Sequence, residues 1–80
     1  MSAAEALEAK SLLLQSNEHY RQLSERHHAL DDRLNELSTK SHLSESDHFE
    51  EVTLKKRKLA LKDQMEQMAL DYAKSHFSAS

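Results

Sequence analysis

Apolar side chains recur at alternating intervals of three and four residues through the first half of the chain. Positions with this spacing lie along one narrow stripe of an α-helix, because residues three and four apart share a helix face. Charged residues fall mostly on the other side. The pattern therefore predicts a helix over residues 17–38 that packs through this stripe. The stripe consists of Tyr20, Leu23, His27, Leu30, Leu34 and Leu37.

A second helical pattern, over residues 47–76, carries apolar side chains on two roughly opposite sides. One side is predicted to pack on the first helix and consists of Leu54, Leu61, Met65, Met68 and Tyr72. The other side is left uncovered by a two-helix structure. We take it as the candidate partner face, which consists of Val52, Leu59 and Leu70, with Phe49 nearby.

A polar stretch separates the two patterns. Residues 38–47 contain four Ser and one Thr, which favour a turn and helix caps. Ser44 and Ser46 are the two candidates to cap the next helix. A short polar connection favours antiparallel neighbours. The chain is therefore predicted to be all-α, a single domain over residues 1–80 built as an antiparallel helical hairpin with its turn at 39–46.

The N-terminal residues 3–15 have strong helix propensity but no partner in this hairpin. Ser2 and Glu5 have the spacing of a capping box. We expect a short separate helix that ends near Ser16-Asn17, because Asn17 is a residue type that caps a new helix. This helix would overhang, fold back or dock elsewhere. We expect residues 77–80 to be a frayed tail.

Composition narrows the function classes. The chain has no Gly and no Pro, which argues strongly against an all-β fold, and no Cys, which excludes disulfides and thiolate chemistry. No segment is long and apolar enough to span a membrane, so a cytoplasmic location is the default expectation. The net charge of −3 disfavours nucleic acid as the main partner.

The most conspicuous charged feature is the basic patch formed by Lys55, Lys56, Arg57 and Lys58. Such a cluster is compatible with binding to nucleic acid or to another anionic surface, and we keep this as the alternative function. Successive residues of a helix point about 100° apart, however, so the four charges spread around the rod. No aromatic residue is interleaved to stack on bases.

A second polar feature lies on the apolar stripe. The hairpin register brings Lys58 and Lys62 across from His27 and Asp31, and these four residues form a candidate polar cluster in the seam. His27 and Asp31 with another histidine are also a candidate metal site. Zinc needs three or four ligands, so we favour a packed histidine, and we expect no metal and no cofactor. A two-helix hairpin offers no interior for catalysis, so we expect no enzyme activity.

Two motifs resemble a known family. The first is Leu23-x-x-x-His27-x-x-Leu30-Asp31-x-x-Leu34, and the second is Leu54-Lys55-Lys56-x-Lys58-Leu59-x-Leu61-Lys62-Asp63-x-Met65. Together they resemble the YdcH-like family of small bacterial proteins over about residues 17–70. The resemblance implies a cytoplasmic bacterial protein with a helical-hairpin fold and sometimes a short extra N-terminal helix. It implies no function. Gln64 stands where the family is expected to have an acid.

These observations favour a non-enzymatic structural or interaction module. Burial of about a dozen apolar side chains in the hairpin seam stabilises the folded chain. This gain only slightly exceeds the conformational entropy that is lost when the chain becomes ordered. A second apolar face in water is then hard to explain unless something covers it. We expect the protein to self-associate or to bind a partner protein helix through the outer face of its second long helix.

Overall fold

The computed structural model describes residues 2–77, and this range contains three helices and no strand. Helix α1 spans Ala3–Ser16, α2 spans Glu18–Ser38 and α3 spans Glu45–Phe77. The all-α class is therefore confirmed. Helix α3 starts two residues earlier than the sequence pattern indicates and includes Phe77. The rest of the expected frayed tail, 78–80, lies outside the described residues.

Helix α1 and helix α2 meet at a single residue, Asn17. Its backbone is extended, with φ −122° and ψ 111°. The Asn17 backbone N–H donates to the Leu13 carbonyl at 2.8 Å and so closes α1. Its side-chain Oδ1 accepts from the Tyr20 backbone N–H at 2.8 Å and so caps α2. One residue thus ends one helix and starts the next, at the place where the sequence predicts a break.

The turn between α2 and α3 is closed by a reciprocal cap. The Asp47 backbone N–H donates to Ser44 Oγ at 3.1 Å, and the Ser44 backbone N–H donates to Asp47 Oδ2 at 3.1 Å. Ser44, not Ser46, is therefore the capping residue. Lys40 Nζ also contacts Asp47 Oδ1 at 3.0 Å. No described residue has a positive φ, which explains how the turn forms without Gly.

Helices α2 and α3 contact each other, and two ion pairs connect them. Arg33 binds Glu50, and Asp31 binds Lys58. Both pairs connect the later part of α2 with the first half of α3, which is consistent with antiparallel neighbours. Leu23, Leu37 and Leu54 are buried apolar residues of these two helices.

Helix α1 does not continue the line of α2. Lys10 Nζ contacts Glu66 Oε1 at 2.6 Å, and both charges act on the phenol of Tyr20. Lys10 and Tyr20 would lie about 15 Å apart along one straight helix, so the chain turns at Asn17. Helix α1 consequently packs on the C-terminal half of α3. The core at this end consists of Ala9, Leu13, Tyr20, Ala69 and Ala73, with Met65, Met68, Tyr72 and Phe77 packed against it.

The molecule is a rod with principal extents of 54 × 21 × 16 Å. Its length is set by α3, whose 33 residues span about 50 Å at 1.5 Å per residue. None of the three described helices combines the length and the apolar character that a membrane span requires.

Candidate functional site

Large apolar side chains are exposed along one side of the first half of α3. Phe49 is 76% exposed, Val52 is 53% exposed and Leu59 is 60% exposed. The three positions are spaced by three and seven residues and therefore share a helix face. We refer to them as the outer stripe. Lys56 lies on the same face, because it is four residues after Val52. Sequence reasoning placed Phe49 only near this face, although it is the most exposed of the three.

The third predicted member of the partner face, Leu70, has different surroundings. It is partly buried and lines a groove of about 400 Å³ between α1 and α3, together with Ala6. Helix α1 therefore covers the C-terminal part of the face and leaves Val52 and Leu59 uncovered. Fold-back of the N-terminal helix was one of the arrangements that the sequence left open. The free part of the face is consequently shorter than the sequence indicated.

The basic patch is divided by intramolecular ion pairs. Lys55 Nζ lies 3.6 Å from Glu51 Oε1, and Lys58 binds Asp31 on α2. Lys56 and Arg57 make no ion pair with any residue of the described range. Two of the four charges are thus already engaged. The patch does not present one continuous cationic surface.

Three of the four residues of the seam polar cluster come together. Asp31 binds Lys58 of α3, and its Oδ2 lies 3.6 Å from His27 Nδ1. The hydrogen bond from Lys58 lowers the pKa of the Asp31 carboxyl, and partial desolvation opposes this effect. Lys62 is exposed and joins no ion pair within residues 2–77. The cluster therefore consists of His27, Asp31 and Lys58.

Sequence reasoning missed the best-formed ion pair between the helices. Arg33 Nε and Glu50 Oε2 are 2.7 Å apart, and Arg33 Nη2 and Glu50 Oε1 are 2.8 Å apart, so the guanidinium binds the carboxylate with two parallel hydrogen bonds. Arg33 lowers the pKa of Glu50, and Glu50 raises the pKa of Arg33. Only the predicted antiparallel register of the two helices could have indicated this pair, because Arg33 and Glu50 lie at similar distances from the turn.

A groove of about 570 Å³ runs along the seam between α2 and α3. An alanine of each helix lies along it, and an arginine of each helix borders it. Sequence reasoning missed this feature, because neither Ala29 nor Ala60 belongs to an apolar stripe. The groove is lined by Arg26, Ala29, Leu30, Arg57, Ala60, Leu61 and Gln64.

The candidate metal site has no third ligand. His27 and Asp31 are close, but residues 2–77 contain no group of three or more His, Cys, Asp or Glu residues that could hold a metal ion. The buried residues of the described range are all hydrophobic, and the polar groups named above lie at the surface or at the seam edge.

A known protein family matches most of the two longer helices. Residues 21–69, which are more than half of the chain, match the family described as "Protein of unknown function (DUF465)". The chain belongs to this family. The DUF465 match begins in α2 and ends in α3, so it includes the outer stripe and the seam groove, and α1 lies outside it. No curated protein and no solved structure matches the chain.

Proposed function

We propose that this DUF465 protein is a non-enzymatic interaction module. Its α2 and α3 form an antiparallel helical hairpin, and it associates with a second copy or with a partner protein helix through the outer stripe of α3. The proposal rests on one observation, which is the exposure of Phe49, Val52 and Leu59 on one helix face. Several large apolar side chains exposed on one helix face and flanked by polar residues mark a candidate interaction site.

The energetics support association. Burial of apolar surface contributes about 25 cal/mol per Å², and a chain of 80 residues has little stability to spare. Lys56 lies on the same face as the stripe and makes no ion pair in the described range. A partner surface with an acidic rim is therefore favoured.

We further propose that the chain is one of the YdcH-like proteins and that it is cytoplasmic. This proposal rests on the resemblance of the motifs at residues 23–34 and 54–65.

Binding of nucleic acid through residues 55–58 has weaker support. Lys55 and Lys58 are paired with Glu51 and Asp31, so nucleic acid would have to displace these partners. Binding through phosphate contacts falls steeply with salt, whereas apolar association through the outer stripe persists at high salt. Salt dependence therefore separates the two functions.

The test is the mass of the protein in solution over a wide concentration range, for the wild type and for Leu59→Asp. We expect association in the wild type and at least a hundredfold weaker association in Leu59→Asp, because a carboxylate in a dry interface costs several kcal/mol. Helix content by circular dichroism should not change, because Leu59 is exposed. Gln22→Asp adds the same charge at an exposed position of α2 and serves as the control.

Two results would limit or contradict this proposal. A wild type that is monomeric at high concentration contradicts self-association and leaves docking of a partner protein helix as the proposed function. Unfolding of Leu59→Asp shows that Leu59 belongs to the hairpin core, and the outer stripe is then wrongly assigned.

A further inference from the structure

The seam groove is a second surface, separate from the outer stripe. It exists because small side chains, Ala29 on α2 and Ala60 on α3, lie where larger ones would close the seam. Both alanines are exposed, and Leu30 and Leu61 form a half-buried apolar floor beneath them. The groove is therefore open to solvent along its length.

The border of the groove carries two free guanidinium groups. Arg26 and Arg57 are exposed, and neither makes an ion pair with any residue of the described range. The other two arginines of the chain differ, because Arg21 binds Glu18 and Arg33 binds Glu36 and Glu50. Guanidinium groups bind carboxylates with paired hydrogen bonds. The rim thus presents, beside an apolar floor, two guanidinium groups that no carboxylate of the described range occupies.

The shape of the groove selects the class of ligand. Small-molecule sites bury most of the ligand surface, which an open trough between two helices cannot do. An amphipathic helix needs to bury only its apolar face, and such helices bind in grooves of this kind. We propose that the seam groove binds an acidic amphipathic α-helix of another protein. An aliphatic side chain of that helix lies between Ala29 and Ala60, and its carboxylates bind Arg26 and Arg57.

The experiment uses the full-length protein and a synthetic 18-residue helical peptide as the probe. The peptide carries Leu on one face and Glu on the borders of that face, and a second peptide replaces every Glu with Lys. Affinity is measured by fluorescence anisotropy, and the contact surface by backbone amide NMR shifts. We expect binding of the acidic peptide only, with the largest shifts at Ala29, Ala60 and Gln64.

Variants of the protein then distinguish peptide binding in the seam groove from non-specific electrostatic attraction of the peptide. Arg26→Gln with Arg57→Gln should weaken binding by at least about tenfold, because both carboxylate partners are lost. Lys62→Gln with Lys74→Gln removes the same charge at exposed positions outside the groove and should change affinity less than twofold. Ala60→Leu fills the groove at an exposed position and should also weaken binding, whereas Ala4→Leu, at an exposed position of α1, should not.

Several outcomes would overturn the inference. The acidic peptide could fail to bind, or its affinity could fall equally in the two double variants. A single-stranded oligonucleotide could also displace the peptide, in binding that itself requires Arg26 and Arg57. Shifts confined to Phe49, Val52 and Leu59 would also overturn it, while leaving the proposed function intact. Self-association that is lost in the arginine variants would assign the groove to a second copy instead.

Discussion

Asp31 connects the two long helices through one short side chain. It binds Lys58 on α3 and lies one helical turn after His27 on α2. All three side chains are partly exposed, so solvent screens the pair and limits its contribution to stability. A polar group at the edge of an apolar seam instead favours one alignment of the helices, because any shift leaves it without a partner. We therefore infer that Asp31 mainly fixes the register of α2 against α3 and adds little to the stability of the fold.

Replacement of Lys58 tests the pairing directly. In Lys58→Met the hydrogen bond to Asp31 is lost while most of the aliphatic stem remains. The pKa of the Asp31 carboxyl should then rise towards its ordinary value of about 3.9, as measured by NMR titration of the side-chain carbon. Lys62→Met is the matched control and should leave this pKa unchanged. An unchanged pKa in Lys58→Met would show that the two side chains do not pair in solution.

Helix α1 depends on the geometry of one residue and on small side chains. Asn17 turns the chain, and Ala9 of α1 is buried in the same cluster as Ala69 and Ala73 of α3. Side chains of this size let two helices approach closely. The Lys10–Glu66 ion pair connects the two helices at the edge of this contact. Docking of α1 therefore requires both the break at Asn17 and the alanines.

Removal of the Asn17 cap should loosen α1. Asn17→Ala removes the acceptor for the Tyr20 N–H, which costs about 1 kcal/mol, and favours a continuous helix in which α1 leaves α3. We expect lower stability in urea and faster hydrogen exchange in α1. Asn17→Ser retains a capping oxygen and should stay close to the wild type. Equal losses in both variants would mean that the cap does not hold the turn.

At the scale of the molecule, the sequence predicts the parts that depend on local rules. The three- and four-residue spacing from Tyr20 to Leu37 predicts α2, and the capping chemistry of Asn17 predicts where α2 begins. For α3 the same chemistry left two candidates, of which the structure uses Ser44. The absence of Gly and Pro is consistent with an all-helical chain. These features are encoded within a few residues and need no knowledge of distant contacts.

The path of α1 and the seam groove could not be predicted in this way. The Ala-rich sequence of α1 has no distinct apolar face, so nothing in it indicates that Ala9 and Leu13 are buried. Ala29 and Ala60 form a groove only because the register places their helix turns side by side. The pairing of Arg33 with Glu50 likewise depends on the turn. Each of these features requires the relative position of two helices, which local pattern does not fix.

The response of the whole molecule to acid follows from three carboxylates. Lys58 lowers the pKa of Asp31, Arg33 lowers the pKa of Glu50, and hydrogen bonds from Ser44 and Lys40 lower the pKa of Asp47. A group whose pKa is lower in the folded state stabilises that state fully above its unfolded pKa, here about 4. This stabilisation is lost as the pH falls through the folded pKa.

We therefore expect the free energy of unfolding to fall steeply with pH below about 4, and a triple neutral variant to respond less. The variant carries Asp31→Asn, Asp47→Asn and Glu50→Gln. Urea unfolding should show it to be less stable than the wild type at pH 7, with the difference shrinking as the pH falls through the folded pKa values of these carboxyls and they become protonated. A control with Glu25→Gln, Asp32→Asn and Asp63→Asn removes the same charge from residues outside any described ion pair. If the control reduces the pH dependence as much as the variant does, net charge rather than these three pairs governs acid stability.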